Sequence, residues 1–346
     1  MAMTELPDRL PARPAGDGED LLSHVLRAVR LTGSMLFLVE ARSPWVTQAP
    51  QTSHFAAALI PRSQHIVSYH VVTCGHCWGG LAGHPPQPMA AGDVLVIPQG
   101  DAYYLAASAQ APPDADVAAA LSFFSRMAAG ELPAVVREGG DGDEATEFLC
   151  GFLGCDRSPF NPVLCALPRV IHLRGAARPG GPLQHLVGHA LDELRAQRAG
   201  GRDVLLRLSE LMFVEVVRAH LGSAPADATG WLAGLRDPVV SRALALMHAE
   251  PARAWTLATL ADGASSSRTT LAARFTRLLG QPPMQYLRAW RMQLAARLLA
   301  ERGSKLRSIA EEVGYASEAA FSRAFKRHAG VSPDVWRADQ ADSGGM

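Results

Sequence analysis

The sequence predicts an α+β protein with a small N-terminal β-barrel or sandwich, a helical segment and an all-α C-terminal domain. Three observations predict this fold class. Short strand-like runs, such as His65–Thr73, Val94–Pro98 and Tyr103–Ala106, are separated by glycine- and proline-rich turns. Helical patterns then cover Leu183–Arg198 and Val204–Leu221. The C-terminal part of the chain repeats one helix-turn-helix pattern twice.

Changes in composition divide the chain of 346 residues into five segments. A flexible leader over residues 1–19 mixes proline, glycine and acids, and a β-rich domain follows over 20–180. Residues 181–222 form a helical linker and dimerisation segment, because their second helix is apolar nearly all round. Packing within one monomer explains that pattern equally well. A polar linker over 223–235 leads to a double helix-turn-helix domain over 236–338.

The composition predicts a cytoplasmic protein without contact to a membrane. The chain has no run of 18 apolar residues, and its leader lacks the apolar stretch of a signal peptide. Five cysteines in such a chain do not predict a disulfide framework, because cytoplasmic thiols stay reduced. Residues Val135–Ala145, rich in glycine and aspartate, are expected to form a surface loop.

The formal net charge of zero hides an uneven distribution of charge. Residues Arg253–Arg337 contain 14 Lys and Arg against 6 Asp and Glu, whereas the rest of the chain contains 19 basic and 27 acidic residues. A neutral chain with one basic end is typical of a polyanion-binding domain joined to another module.

The two helix-turn-helix units share one pattern of residues. Each begins with an apolar residue followed by alanine, at Leu260 or Ile309, and then has a turn and a serine. That serine, Ser267 or Ser317, stands where it can cap the second helix. Apolar residues four positions apart then face the core. These pairs are Leu271 with Phe275 and Phe321 with Phe325.

Local signals predict how these helices begin and turn. Ser308 and Glu311 have the spacing of a capping box, and Gly314 suits the tight turn of the second unit. Gly263 is expected inside the first helix of the first unit, where glycine costs about 1 kcal/mol relative to alanine.

The second helix of each unit leaves a polar face outward, and this face is the candidate DNA-binding surface. Such a face can reach base edges and phosphates in a groove. The candidate residues are Ser267, Arg268, Thr269, Thr270, Ala272, Thr276 and Arg277 in the first unit, and Ser317, Glu318, Ala319, Ser322, Arg323, Lys326 and Arg327 in the second.

A continuous helical pattern over Met284–Ala300 connects the two units. Its apolar stripe consists of Tyr286, Leu287, Trp290, Leu294 and Leu298. A helix of this length is about 25 Å long, so the two second helices could enter successive major grooves, roughly 34 Å apart.

The residues from Asp237 to Arg337 resemble the AraC/XylS family of bacterial transcription regulators. The resemblance is most specific over Ile309–Pro333, which contains Val-Gly-Tyr-Ala-Ser-Glu-Ala-Ala-Phe-Ser-Arg-Ala-Phe-Lys-Arg-His-Ala-Gly-Val-Ser-Pro. It implies a sequence-specific regulator whose partners are double-stranded DNA, RNA polymerase and, in a homodimer, a second copy of the chain.

The N-terminal domain resembles the cupin-type sensor domain of one branch of that family. The matching residues are His70, Gly75, Cys77, Trp78, Gly92-Asp93, Pro98, Gly100-Asp101, Cys150-Gly151, Asp156, Asn161-Pro162 and Leu167-Pro168. The resemblance implies a cupin-like barrel that senses an effector. Cupins usually place a metal-ligating histidine where this sequence has Tyr103.

Cysteines and histidines in this domain permit three interpretations. A zinc ion as cofactor could use Cys74, His76, Cys77 and Cys150, because thiolates and imidazoles suit tetrahedral Zn²⁺. An oxidation switch or an effector site could instead use Cys74, Cys77, Cys150, Cys155, His70 and Tyr103. The cysteines could also be small residues of the core.

Three functions compete at this point. A DNA-binding regulator accounts for both basic helices and for a domain that senses a small effector, a metal or an oxidant. A metal-dependent cupin enzyme with an accessory helical domain is the alternative, and Tyr103 in place of a ligand speaks against it. A helical protein-binding adaptor leaves the outward Arg268, Arg323 and Lys326 unexplained.

Overall fold

The computed structural model describes Leu22 and residues 31–61, 63, 65–110, 116–155, 160–223, 230–300 and 304–342. These residues form two compact units, one built on Val29–His220 and the other on Leu221–Pro333. The leader predicted for residues 1–19 lies outside the described residues, as do residues 224–229 of the predicted linker. In the described part of the chain, no helix combines the length and the apolar character that crossing a membrane requires.

The first unit has ten strands in its described residues, arranged in two sheets. The strands are β1 (Leu31–Arg42), β2 (Val46–Ala49), β3 (His65–Cys74), β4 (His76–Leu81), β5 (Gln87–Ala90), β6 (Val94–Ile97), β7 (Tyr103–Ala106), β8 (Val135–Gly139), β9 (Ala145–Cys155) and β10 (Ile171–Leu173). The larger sheet has the order β10-β6-β3-β9-β1-β8, and the smaller has the order β2-β7-β4-β5.

The helices of this unit follow the strands or lie between them. They are α1 (Ala56–Leu59), α2 (Val117–Ala128), α3 (Pro162–Ala166), α4 (Gln184–Ala196) and α5 (Gly201–Ser223). Helix α2 is capped by Asp116, whose carboxylate accepts hydrogen bonds from the backbone N–H groups of Ala118 and Ala119. A helix therefore follows β7 in a stretch for which the sequence pattern predicted no element.

Antiparallel pairing of β3 with β9 forms the centre of the larger sheet. The register runs from His65 opposite Cys155 to Cys74 opposite Glu147, and β1 pairs with the other edge of β9. Side chains from both faces of β3 are buried, which explains why its residues do not alternate between apolar and polar. The core between the sheets contains Phe37, Trp45, Phe55, Leu95, Phe148 and Phe152.

The surface loop predicted for Val135–Ala145 is wrong over its first half. Residues Val135–Gly139 form the edge strand β8, which pairs in parallel with Leu38–Arg42 of β1. A short, mostly exposed edge strand needs few apolar residues, so its composition resembles that of a loop. The predicted loop is confined to the connection that follows, where Gly142 donates a backbone hydrogen bond to Ser43.

The second unit is helical throughout its described length. Its helices are α6 (Trp231–Arg236), α7 (Pro238–Ala249), α8 (Leu257–Gly263), α9 (Arg268–Leu279), α10 (Pro283–Ala300), α11 (Leu306–Glu312) and α12 (Glu318–Ala329), and α13 (Pro333–Asp342) follows. Helix α6 occupies residues that the sequence predicted as the end of the linker. It is anchored by Trp231, whose indole N–H donates to the hydroxyl of Tyr286 over 2.8 Å.

The first helix of the second helix-turn-helix unit does not begin at its predicted cap. Helix α11 begins at Leu306 after Lys305, so Ser308 lies inside the helix and the predicted capping box with Glu311 is wrong. A capping box does occur at α8, where the Thr256 side chain accepts from the backbone N–H of Thr259 and the Thr259 side chain accepts from that of Thr256. Threonine at the third helical position hid this cap from the sequence pattern, which requires Glu or Gln there.

The turns of the two helix-turn-helix units share the same kind of backbone conformation. Ser265 and Gly314 adopt positive φ angles of 53° and 80°, and the buried Ala264 and Val313 precede them. Glycine is required at 314 for a second reason, since a Cβ atom there would lie 2.6 Å from the carbonyl oxygen of Ala252. The predicted role of Gly314 is confirmed.

Gly263 is the last residue of α8, in the first helix-turn-helix unit, and it allows α8 to pack closely against α7. A Cβ atom at this position would lie 2.7 Å from the Leu246 side chain on α7. Glycine at this position therefore lowers helix propensity but lets α7 and α8 approach closely. A larger residue would disturb this contact.

The connecting helix α10 is buried on more than one face. Tyr286, Leu287 and Trp290 are buried as the stripe predicts, but Leu294 and Leu298 are only half-buried. Met292, Ala295 and Leu299 are buried instead. Helix α10 contacts α9 on one side and α11 and α12 on the other, so a single apolar stripe could not satisfy its surroundings.

We predict that Gly314→Ala destabilises the helical unit more than Gly330→Ala. Both glycines have φ near +80°, so each substitution strains the backbone by about 1–2 kcal/mol. No atom lies within 4 Å of the Cβ position at Gly330, whereas the backbone of Ala252 blocks the Cβ position at Gly314. This collision should add about 1–3 kcal/mol to the loss of stability in Gly314→Ala. Urea denaturation followed by circular dichroism measures both losses, and equal losses would contradict the assigned contact.

Candidate nucleic-acid interface and ligand cavity

The second helix of each helix-turn-helix unit begins at a serine cap. Ser267 Oγ accepts a hydrogen bond from the backbone N–H of Thr270 over 3.1 Å, and Ser317 Oγ accepts one from Ala320 over 3.2 Å. Both predicted caps are confirmed. The caps fix where α9 and α12 begin, so the residues of each first turn project together from the helix end.

The candidate DNA-binding residues lie on the outer faces of these two helices. Burial of Leu271 and Phe275 on α9, and of Phe321 and Phe325 on α12, determines which faces are left outward. Ala272 and Ser322 are half-buried. The exposed candidates are Ser267, Arg268, Thr269, Thr270, Thr276, Arg277, Ser317, Glu318, Ala319, Arg323, Lys326 and Arg327.

Some arginines of the helical unit bond to other parts of the fold, whereas other cations have no ion-pair partner among the described residues. Arg291 donates to the carbonyl oxygens of Pro251 and Arg253 over 2.7 and 2.8 Å. Arg274 lies 3.4 Å from the carboxylate of Asp237. The cations on the outer faces make no ion pair with any residue in the described ranges. These cations are Arg268, Arg277, Arg323, Lys326 and Arg327.

A cavity of about 250 Å³ lies inside the first unit. Its walls are mainly apolar and include four phenylalanines, and its polar lining comes from several strands and from the start of α2. The lining residues are Phe37, Val39, Val46, Thr47, Gln48, Ala49, His70, Tyr103, Asp116, Ala119, Ala120, Phe123, Phe124, Glu138, Cys150 and Phe152. An apolar, concave site with a few polar groups is the usual form of a small-molecule site.

His70 contributes a buried polar atom to this cavity. Its Nδ1 lies 3.2 Å from Cys150 Sγ on the paired strand, and its ring centroid lies 4.8 Å from that of Tyr103. Its Nε2 has no hydrogen-bond partner among the described residues. Burial lowers the pKa of His70 to about 3, because a charged imidazolium would lose its hydration. The ring is therefore neutral at pH 7, and Nε2 can accept or donate one hydrogen bond.

The four candidate zinc ligands do not come together. Cys74 and His76 are exposed, whereas Cys77 and Cys150 are buried. Successive residues of a strand point to opposite sides, so His76 and Cys77 cannot face one ion. In the described residues, no three His, Cys, Asp or Glu side chains are grouped closely enough to hold a metal ion.

The candidate thiol switch is also divided between surface and core. None of the five cysteines, all within described segments, forms a disulfide. Burial raises the pKa of the Cys77 thiol to about 12 and raises that of Cys150 well above its usual value. Reactive cysteines need thiolate character and access, and these two have neither. Cys155 is buried too, which leaves only Cys74 of the candidates at the surface.

The sequence interpretation found His70, Tyr103 and Cys150 but missed two other parts of the cavity. Helix α2 supplies Phe123 and Phe124, and the edge strand β8 supplies Glu138. An aspartate before an apolar helical run, as at Asp116, is a signal that could have revealed α2. No local signal distinguishes Glu138 from other surface acids, because its position depends on the pairing of β8 with β1.

Comparisons with known proteins agree with this two-part architecture. The chain matches the family described as cupin over residues 20–222 and the family described as helix-turn-helix domain over residues 260–339. A protein of Streptomyces lividans described as an AraC-like transcription regulator is 36% identical over 295 residues, which cover 82% of this chain and 93% of the relative. The transcriptional regulator AlkR of Acinetobacter baylyi is 32% identical over 320 residues, covering 92% and 99%.

We predict that His70 makes the first unit less stable as the pH falls from 7 to 5. The unfolded chain binds a proton at this histidine near pH 6.5, whereas the folded chain resists protonation down to about pH 3. The stability that the neutral ring contributes is therefore fully present above about pH 6.5 and is lost progressively as the pH falls from there toward pH 3. Wild type should lose about 2 kcal/mol more than His70→Leu over this range. Urea denaturation at several pH values measures the difference, and parallel curves would contradict the burial of a neutral ring.

Proposed function

This chain belongs to the AraC-like family of transcription regulators, and from that membership we propose how its two units divide the work. The helical unit binds double-stranded DNA through the outer faces of α9 and α12. The β-unit binds an effector in its cavity and modulates that DNA binding. The observation that carries the proposal is the pair of serine-capped helices with five cations that have no ion-pair partner among the described residues.

The proposed interface combines two kinds of contact. Arg323 lies on the outer face of α12, one turn beyond the helix start, where a guanidinium can bond bidentately to guanine in a major groove. Lys326 and Arg327, farther along the same helix, suit phosphates. Arg268 and Arg277 offer corresponding groups on α9.

The connecting helix sets the spacing of the two recognition helices. Helix α10 has 18 residues and is therefore about 27 Å long. Its burial against α9, α11 and α12 holds both helix-turn-helix units in one rigid body. Such a body suits two major-groove segments about one DNA turn apart, roughly 34 Å, on one face of the duplex.

Strand β3 offers a path from the cavity to helix α5. His70 faces the cavity, and its neighbour Tyr69 points to the opposite face of the sheet. There the Tyr69 hydroxyl and Ser209 Oγ of α5 form a hydrogen bond of 2.7 Å, with both side chains buried. An occupant that moves His70 would therefore shift the strand to which α5 is bonded.

The remaining parts of the proposal follow from the family. The protein acts in the cytoplasm as a regulator and not as an enzyme, and it contacts RNA polymerase when bound to DNA. Two copies pair through α5, where Leu211 leaves 51% of its surface exposed, although Leu208 and Met212 beside it are buried. Sedimentation of the full chain tests this pairing.

We predict that Arg323→Ala weakens binding to DNA selected by the full chain by about 1–3 kcal/mol, because a bidentate base contact is lost. Binding to unrelated DNA should change less, since phosphate contacts dominate it. Fluorescence anisotropy at several salt concentrations measures both. Arg126→Ala is the matched control, because it removes the same charge from an exposed site on α2, away from α5, α9 and α12, where Arg126 is paired with Glu131. Equal losses in both variants, or none in Arg323→Ala, would remove this residue from the interface.

We predict that Tyr69 and Ser209 are energetically coupled. Tyr69→Phe or Ser209→Ala alone leaves one buried hydroxyl without its partner and should cost about 1–3 kcal/mol, whereas the double variant should cost less than the sum. A double-mutant cycle from urea denaturation should give an interaction energy of at least about 0.5 kcal/mol. Pairing Tyr69→Phe with Ser125→Ala, at an exposed site on α2, is the additive control. An interaction energy near zero would exclude this path.

A further inference from the structure

The cavity in the β-unit has a negative formal charge. Its ionisable lining consists of the carboxylates Asp116 and Glu138, together with the neutral His70 and the thiol and phenol of Cys150 and Tyr103. No lysine or arginine belongs to this described lining. An anionic ligand would meet two acids and no cation, so a carboxylate or phosphate compound is disfavoured.

Strand geometry directs Glu138 toward the cavity. Neighbouring Arg137 points to the opposite face of the sheet, where it lies 3.4 Å from Glu40 of β1. Glu138 pairs in register with Ala41, which is buried, and shares a face with Val136, which packs on the core. Desolvation raises the pKa of the Glu138 carboxyl. The pKa of Cys150 is raised mainly by burial and further by the charge of Glu138. Glu138 itself is exposed, so its carboxylate lies at the open edge of the cavity lining, with its charge facing the cavity.

The two acids differ in their freedom to bind a ligand. Asp116 uses Oδ1 to cap α2, accepting from the N–H groups of Ala118 and Ala119. Glu138 has no ion pair or hydrogen bond with the residues that the structure describes. Glu138 is therefore the acid available to a cation.

The walls suit the flat, apolar body of such a cation. Phe37, Phe123, Phe124 and Phe152 present aromatic surface, which attracts organic cations through the ring quadrupole. His70 adds the buried atom Nε2, which has no hydrogen-bond partner in the described residues. In the tautomer whose Nδ1–H donates to Cys150 Sγ, Nε2 can accept a hydrogen bond from a ligand. An apolar cavity of about 150 Å³ accommodates benzene, so 250 Å³ accommodates a fused bicyclic ring.

We propose that this cavity binds a small organic monocation, a flat bicyclic ring carrying an alkylammonium group. The ammonium nitrogen pairs with Glu138, the ring packs among the phenylalanines, and a polar ring atom donates to His70 Nε2. This inference rests on the proposed effector-sensing function and names the chemical class of the effector.

Three indole compounds of equal shape and different charge test the proposal on the full-length protein. Tryptamine is a cation, tryptophol is neutral and indole-3-acetate is an anion. Isothermal titration calorimetry should show tryptamine binding about tenfold more tightly than tryptophol, and indole-3-acetate more weakly than both. Equal or tighter binding of tryptophol or indole-3-acetate would overturn the proposal, and so would the absence of tryptamine binding at millimolar concentration.

Two isosteric variants locate the charge preference. Glu138→Gln should lower the affinity for tryptamine about tenfold and leave that for tryptophol unchanged. Glu40→Gln removes the same charge from the neighbouring strand, but on the opposite face, and should change neither affinity. Retained preference for tryptamine in Glu138→Gln, with an unchanged melting temperature, would overturn the role of this carboxylate.

The DNA readout is kept separate from the binding readout. Affinity for the selected DNA is measured in the same preparations with and without tryptamine. Tryptamine binding with no change in DNA affinity supports the cation site and contradicts effector sensing through it. A changed DNA affinity that disappears in Glu138→Gln supports both.

Discussion

The pairing of β3 with β9 is the constraint on which the β-unit depends. It sets His70 opposite Cys150 and Tyr69 opposite Gly151 in adjacent rungs. The Tyr69 ring lies against the backbone of Gly151, where any side chain would collide with it. One strand therefore presents an imidazole to the cavity and a phenol to α5. A shift of one residue in this register would exchange the two faces and abolish both arrangements.

The helical unit has its own organising contact at Tyr286. Its hydroxyl accepts from the Trp231 indole and lies 2.8 Å from His248 Nε2, while His248 stacks on Trp290 with ring centroids 4.0 Å apart. These groups join α6, α7 and α10, and Phe275 of α9 packs edge-on against the same tyrosine. The orientation of α9 is thereby tied to the connecting helix through its buried face. The outer residues of α9 take no part in this contact.

Prediction from the sequence succeeded where the signal was local or periodic. The serine caps at Ser267 and Ser317, the turn glycine and the strand Tyr103–Ala106 follow from rules that act within a few residues. It failed where a distant partner decides the outcome. Strand β8 exists because β1 accepts it, and burial of Leu299 rather than Leu298 follows from neighbours on several sides of α10. The supposed zinc ligands failed for the same reason, since strand direction separated residues that are adjacent in the chain.

The sequence by itself determined the α+β class, the paired helix-turn-helix units and their basic character, because these properties depend on periodicity, capping and composition. Its resemblance to the AraC/XylS family indicated the family to which the chain belongs. Only the tertiary structure decided which cations lack an ion-pair partner among the described residues, which cysteines are buried and which acids line the cavity. Charge and reactivity at a site depend on distances between groups remote in the chain. Glu138 and Arg137 illustrate this: two adjacent polar residues acquire opposite surroundings because a strand directs them to opposite faces of one sheet.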